Sequence, residues 1–266
     1  MTSIALLGGG KMGEALLAGL VKSGHPIDQL CFTERHPERA REVTERHGVA
    51  ARDLAVAVPG ADTLVVAVKP QDIEPLLAEL DKLLRPGTLV VSLCAGLTTA
   101  LFERSLPENT PVIRVMPNTP MLVGEAMSAI SPGRHATEEH LVEVEGMLAS
   151  VGRVVRVPER QQDAVTALSG SGPAYFFYLV ESMIEAGVLL GMARPLATEL
   201  VVQSALGAAR MLRETGEHPA VLREAVTSPA GTTSAALREL DRHGTRTALT
   251  AAIEAACRRS SELGAS

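Results

Sequence analysis

Through the first 157 residues, short β-branched apolar runs alternate with amphipathic stretches. Runs at residues 4–7, 30–33, 63–67, 89–93, 112–116, 126–130 and 154–157 have the length and composition of strands. Between them apolar positions recur at helical spacing over residues 12–23, 37–47, 73–84, 98–106 and 138–150, and a Gly or Pro closes several of these stretches. Strand-helix alternation of this kind predicts an α/β, doubly wound domain with a mostly parallel sheet.

After Arg160 the strand-like runs stop. Ala- and Leu-rich helical patterns follow at residues 161–167, 173–190, 194–215, 219–226, 232–243 and 247–263, so the second part is expected to be all-helical. The division falls at residue 158, giving domains 1–158 and 159–266. Residues 174–192 are apolar on nearly every face and carry Tyr175, Phe176, Phe177 and Tyr178, four of the six aromatics. A helix that is apolar all round is buried all round. In so small a helical domain this points to a subunit interface, with the central core helix of a monomer as the alternative.

Composition narrows the function classes. Hydrophobic residues make up 46% and charged residues 21%, an ordinary globular balance, while aromatics reach only 2%. The core therefore rests mainly on Ala, Val and Leu. The three cysteines, Cys31, Cys94 and Cys257, show neither CxxC nor metal-ligand spacing, so no metal site is expected and a reducing, cytoplasmic setting is. The start of the sequence shows no basic leader and the apolar runs are short for a bilayer, so no membrane association is expected. A net charge of -6 with scattered Arg and Lys argues against nucleic acid as a partner. Small-molecule chemistry remains.

The strongest local signal is Gly8-Gly9-Gly10-Lys11-Met12-Gly13, directly after the first strand and opening the first helix. That context marks a dinucleotide-binding turn of the Rossmann type: Gly8 for the tight turn, Gly10 for backbone approach to a pyrophosphate, Gly13 for close helix-strand packing. At the end of the second strand, Glu34 suits the ribose hydroxyl of NAD while Arg35, with Arg39, suits the 2′-phosphate of NADP. Three further loops follow strands: Val68-Lys69-Pro70-Gln71, Cys94-Ala95-Gly96 and Met116-Pro117-Asn118-Thr119-Pro120. Their small residues and prolines would floor a flat ring, and the Asn118 amide could hold a nicotinamide carboxamide. In the helical part, Ser169-Gly170-Ser171-Gly172-Pro173 is a bend into a helix. Thr227-Ser228-Pro229-Ala230-Gly231-Thr232-Thr233 offers amides and hydroxyls to a carboxylate, or simply caps a helix.

In order and spacing these motifs resemble the pyrroline-5-carboxylate reductase family, from about residue 3 to residue 260. The resemblance implies hydride transfer from NAD(P)H to the C=N carbon of L-1-pyrroline-5-carboxylate, giving L-proline in the cytoplasm. It implies cofactor contacts at Leu7, Gly8, Gly9, Gly10, Lys11, Met12, Arg35, Ala67, Val68, Lys69, Pro70, Cys94, Ala95 and Gly96, with Asn118 added from the loop reading. The substrate would lie at Thr166, Ser228, Gly231, Thr232 and Thr233, with Thr166 and Thr233 as the positioning groups of the reaction. NADPH is expected, with NADH as the alternative. The family also implies a homodimer through the helical domain, often assembled into a decamer. Two departures are visible. Ala230 stands where the family often has glycine, which suggests that close backbone approach is not required there, and no Asn follows the third strand near Asp53.

Two other functions compete. A β-hydroxyacid-type dehydrogenase reduces a carbonyl with help from a lysine of its second domain, and this chain has no lysine after Lys82. A protonated imine becomes a neutral amine on taking hydride and needs no strong acid at carbon. A non-catalytic dinucleotide sensor would carry partner-binding features in place of a hydroxyl-rich loop.

Overall fold

The computed structural model describes residues 2–265, the side chains of Pro70 and Ala265 excepted. By contacts the chain forms two compact units, residues 1–171 with 256–266, and residues 172–255.

The first unit is built on an eight-stranded sheet: β1 (Ile4–Leu7), β2 (Leu30–Thr33), β3 (Ala50–Ala51), β4 (Thr63–Val66), β5 (Leu89–Ser92), β6 (Val112–Met116), β7 (Ala126–Pro132) and β8 (Gly152–Arg156). Their order is β3-β2-β1-β4-β5-β6-β7-β8. Strands β1 to β6 pair in parallel, β7 runs antiparallel to β6, and β8 is parallel to β7. The expected doubly wound α/β domain is therefore present. The central strands read as unbroken apolar runs because both faces are covered. Ile4 and Leu6 face one side with α1 (Lys11–Lys22), α2 (Pro37–His47) and α6 (Glu138–Ala149). Ala5 and Leu7 face the other with α3 (Leu54–Gly60), α4 (Ile73–Leu83) and α5 (Thr99–Ser105).

Two elements fall outside the sequence expectation. Strand β3 is two exposed alanines at the sheet edge, too short to show a period, and α3 is a valine-rich heptapeptide with Pro59 inside it. After α7 (Gln162–Val165) the chain does not stay α-helical. It widens into a π-turn over Thr166–Gly170, closed by the Ser171 amide on the Thr166 carbonyl at 2.8 Å.

The second unit contains α8 (Gly172–Leu189), α9 (Arg194–Thr215), α10 (Pro219–Ala225), α11 (Thr232–Arg242) and the first half of α12 (Thr245–Ala265). Helix α8 packs along α9. Of α8, only Gly172 is buried, while Phe176, Phe177 and Tyr178 are each 67–70% exposed. The alternative of a monomer core helix is thereby removed. A contiguous apolar face of this kind is an interaction surface.

Candidate active site

Strand order reverses between β1 and β4, and it is outside the carboxyl ends of strands at such a switch point that open α/β sheets take ligands. The two ends meet there without a side chain between them. Gly8 has φ +117°, and a Cβ on it would stand 2.7 Å from the Ala67 carbonyl oxygen. A Cβ on Gly13 would fall 2.1 Å from the Gly8 carbonyl oxygen, so α1 packs directly onto the turn that precedes it. Gly10, the N-cap of α1, has nothing within 4 Å of its Cβ position and makes no side-chain cap. The first amides of α1 thus face open space with the positive end of the helix dipole behind them, an arrangement that fits a pyrophosphate.

Neighbouring charges hold this turn in place. Glu34 accepts the Gly9 amide at 3.2 Å through one oxygen and the His36 amide at 3.0 Å through the other. Arg39 does not stand beside Arg35 as a second phosphate ligand. Its Nε donates to the Gly9 carbonyl at 3.1 Å, and its terminal nitrogens pair with Glu14 and Glu42. Burial alone would raise the Glu14 carboxyl, but hydrogen bonds from His47, Arg39 and Arg46 outweigh it and hold Glu14 below the ordinary carboxylate range. Arg35, three-quarters exposed, meets Asp72 at 2.8 Å and is the guanidinium left at the surface of this edge.

The adjoining loops are laced together beneath that edge. Lys69 and Ala95 are exposed, while the Cys94 thiol is buried and donates to the Val68 carbonyl at 3.3 Å. Burial pushes that thiol up to about 11. Gly96, at φ +79°, lies against Leu263 and Gly264, and a Cβ on Gly264 would come 2.7 Å from the Gly96 carbonyl. The end of α12 therefore sits on the loop after β5, a contact the sequence pattern does not signal. Asn118 spends its amide within the protein: Nδ2 donates to the Ser169 carbonyl at 3.2 Å and hydroxyl at 3.3 Å, and Oδ1 accepts the Met127 amide at 2.9 Å. It braces the loop after β6 against the π-turn.

The π-turn carrying Thr166 is fastened on two more sides. Gln162, fully buried, donates from Nε2 to the Ser131 hydroxyl at 2.7 Å and the Ala129 carbonyl at 3.3 Å. Asp163 accepts the hydroxyls of Ser260 at 2.7 Å and Ser261 at 2.9 Å, near the end of α12. The Thr166 hydroxyl donates to the Gln162 carbonyl at 2.8 Å. A π-turn is uncommon and often marks a functional position.

In the second unit, Ser228, Gly231, Thr232 and Thr233 form the entry to α11. Gly231 is its N-cap with no side-chain cap, and its amide donates to the Ser228 carbonyl at 3.1 Å. A Cβ on Gly231 would lie 2.3 Å from the Ser228 hydroxyl oxygen and 3.1 Å from its carbonyl oxygen, so a larger residue here would turn the Ser228 side chain away. Ala230 has φ +55°, a left-handed conformation that an L side chain strains to adopt. The glycine common at this place is explained by backbone conformation.

A parallel sheet whose first strand ends in this glycine turn, with an uncapped helix start facing the switch point, defines a dinucleotide-binding oxidoreductase domain of the Rossmann class. A family model described as "NADP oxidoreductase coenzyme F420-dependent" matches residues 3–96, and one described as "Pyrroline-5-carboxylate reductase dimerisation" matches residues 159–263. The pyrroline-5-carboxylate reductase of Mycobacterium tuberculosis is 45% identical, over 99% of this chain and 97% of that protein. Among solved structures, that of the Coxiella burnetii pyrroline-5-carboxylate reductase superposes with a TM-score of 0.93 at 35% identity, covering 98% of each chain. The Plasmodium falciparum pyrroline carboxylate reductase with NADP bound gives 0.89 at 28%, covering 99% of this chain and 98% of that one. This chain belongs to the pyrroline-5-carboxylate reductase family.

Two expectations follow from the geometry. Ala230→Gly relieves the left-handed strain and should stabilise the protein by about 1 kcal/mol, read as a raised urea midpoint with unchanged slope. A lowered midpoint would show that Ala230 is unstrained. Burial raises the Cys94 pKa above that of a free thiol, so the neutral thiol's contribution to stability is complete below the free-thiol pKa and is lost as pH rises through about 11. Since the thiolate is the nucleophile, iodoacetamide should leave Cys94 of the native protein unmodified at pH 8 and alkylate it only as pH nears 11. Labelling at pH 8 as fast as in unfolded protein would refute this.

Proposed function

We propose that this protein reduces L-1-pyrroline-5-carboxylate to L-proline, the last step of proline biosynthesis, with NADPH as preferred reductant and NADH as the alternative. The carrying observation is that both segments expected to hold anions are uncapped helix starts: Gly10 before α1, and Gly231 before α11. The first suits the cofactor pyrophosphate and the second the substrate carboxylate. Residues 1–158 serve the cofactor, and residues 159–266 serve substrate binding and dimerisation.

A reduced nicotinamide, when bound, supplies a hydride. Leu7, Gly8, Gly9, Gly10, Lys11 and Met12 then seat the pyrophosphate and its surroundings. Arg35 exchanges Asp72 for the 2′-phosphate, while Glu34 is held back by the two amides it accepts. Ala67, Val68, Lys69 and Pro70, with Cys94, Ala95 and Gly96, line the same edge. Asn118 acts on this floor as a brace, since both of its N–H groups are spent on Ser169.

Ser228, Gly231, Thr232 and Thr233 hold the substrate carboxylate, and Thr166 orients the ring from the π-turn. With the ring so held, the C=N carbon would receive hydride from a bound reduced nicotinamide, and the nitrogen, protonated beforehand from solvent, would become a neutral secondary amine. Placement supplies most of the acceleration. No lysine follows Lys82 in the sequence. His243 caps the far end of α11, eleven residues beyond Thr232, so along that helix it stands roughly 16 Å from the loop. These features disfavour carbonyl reduction with a side-chain acid.

The protein works in the cytoplasm as a homodimer joined through the helical domain, with a decamer built from five such dimers as the larger assembly. The dimerisation-family match and the exposed aromatic face of α8 support the pairing. Among the described residues no helix is long and apolar enough to cross a membrane.

Steady-state oxidation of NADPH and NADH with pyrroline-5-carboxylate tests this reading, and no turnover with either cofactor would end it. Arg35→Ala should raise KM for NADPH by roughly tenfold, the loss of one charge-assisted contact, and leave NADH nearly unchanged. Equal losses with both cofactors would remove Arg35 from the phosphate. Thr233→Ala should lower kcat/KM for the imine with NADPH affinity intact, whereas abolition of turnover by His243→Ala, with binding unchanged, would establish a side-chain acid. Light scattering should find a multiple of the chain's mass. A stable, active monomer would overturn the interface.

A further inference from the structure

The carboxyl ends of the strands carry the site above, but a separate cavity with polar lining lies at their amino ends. It has a volume of about 290 Å³ and is bounded by the first residues of β1 and β4, the end of α1 and the middle of α6. Four strand residues at about 3.3 Å each separate it from the glycine turn, so it is a distinct place on the same unit. Its floor is apolar and buried, with Ile4, Leu20, Val144 and Met147 each at 6% exposure or less.

The polar side chains of the wall share a pattern. Thr63, 1% exposed, donates its hydroxyl to Glu143. The Ser23 hydroxyl donates to the Leu20 carbonyl at 2.9 Å. His25 Nε2 stands 3.1 Å from the Thr2 carbonyl oxygen, which can only accept, so that nitrogen is the donor and Nδ1 of the neutral ring is an acceptor. Each of these three donors is turned into the protein. What remains toward the cavity is acceptor capacity, with one half-buried carboxylate, Glu143, in its wall. Among the described residues Glu143 forms no ion pair, and neither Lys nor Arg lines the cavity.

A second feature is independent of charge. Gly146 lies in the interior of α6 and lines the cavity, and a Cβ on it would have no atom within 4 Å. Glycine at such a position costs a helix about 1 kcal/mol relative to alanine. No close packing or unusual dihedral inside the protein accounts for it, whereas a ligand lying against the helix backbone would.

We propose that this cavity is a second ligand site, selective for a small organic ammonium ion whose N–H groups meet Glu143 and whose hydrocarbon part lies on Leu20, Val144 and Met147. The volume equals roughly ten water molecules, room for a short aliphatic amine. A metal ion would require more ligands than Glu143 and His25 provide, and no group of three or more His, Cys, Asp or Glu side chains able to hold one occurs among the described residues. A carboxylate-bearing zwitterion would be repelled by Glu143.

The test uses the full-length protein and three isosteric probes, n-butylammonium, n-butanol and butyrate, followed by saturation-transfer NMR at millimolar concentration. Butylammonium alone should give a saturable signal. Glu143→Gln, which keeps an acceptor for Thr63, should weaken it at least tenfold, and Gly146→Leu, which fills the cavity, should abolish it. Both variants should retain NADPH-dependent turnover, so a failure here is distinct from a failure of the proposed reaction. Equal signals from all three probes, no saturable butylammonium signal with the wild type, or undiminished binding in the Glu143→Gln protein would each overturn the proposal. Should Gly146→Leu fold poorly, the Glu143→Gln comparison decides alone.

Discussion

The turn after β1 forms only because residue 8 carries no side chain. With the Ala67 carbonyl oxygen 2.7 Å from where a Cβ would be, any substitution at Gly8 must part β1 from β4 at the point where the strand order reverses. Everything nearby is arranged around that contact. Gly13 lets α1 descend onto the Gly8 carbonyl, Glu34 reaches across from β2 to take the Gly9 amide, and Arg39 takes the Gly9 carbonyl from the other side. The outcome is a helix start aimed at the crevice with its amides unclaimed, which is the electrostatic requirement for binding a pyrophosphate. Rigidity here comes from the strands, and the amides need no reorganisation on meeting an anion.

The loops beyond that turn are tied to each other more than to solvent. Asn118 joins the loop after β6 to Ser169, Gln162 anchors α7 to β7, and Asp163 binds the hydroxyls of Ser260 and Ser261. Gly264 then rests on Gly96, so the last turns of α12 belong to the first unit and touch both the loop after β5 and α7. Segments far apart in sequence share one frame, and the π-turn carrying Thr166 is held from three directions. Such bracing keeps the turn in a single conformation, as a site that works by placement requires.

Much of this was legible from residue pattern. Seven of the eight strands carry apolar runs, those of the central strands because both faces of the sheet are covered there, whereas β3, two exposed alanines, has no pattern to read. Helix α3 escapes because valine and Pro59 give it little helical signal. The glycine turn is visible from spacing, since its steric demands act over a few residues. Glu34 reaches the Gly9 amide, Arg39 the Gly9 carbonyl and Glu14, and Asn118 Ser169 and Met127 across 9 to 51 residues, and hydrogen bonds across such separations leave no local trace. Arg39 resembles a phosphate ligand until the fold commits it to Glu14. At residue 230 the replacement of glycine by alanine suggests a relaxed spatial requirement, while the positive φ shows that the requirement is conformational.

The distribution of aromatic residues completes the physical picture. Phe32 and Phe102, both fully buried, serve opposite faces of the sheet, and the other four aromatics lie consecutively on α8. A chain so poor in aromatics spends most of its largest apolar side chains where its own fold leaves Phe176, Phe177 and Tyr178 about two-thirds exposed. Each aromatic side chain offers about 150–250 Å², so these three leave roughly 400 Å² of mostly apolar surface in water. At about 25 cal/mol per Å² its removal from water is worth on the order of 10 kcal/mol before association costs. That is comparable with the whole stability of a typical domain. The helical unit therefore has a strong reason to associate, and the surface it would bury includes the helix that begins directly after the π-turn.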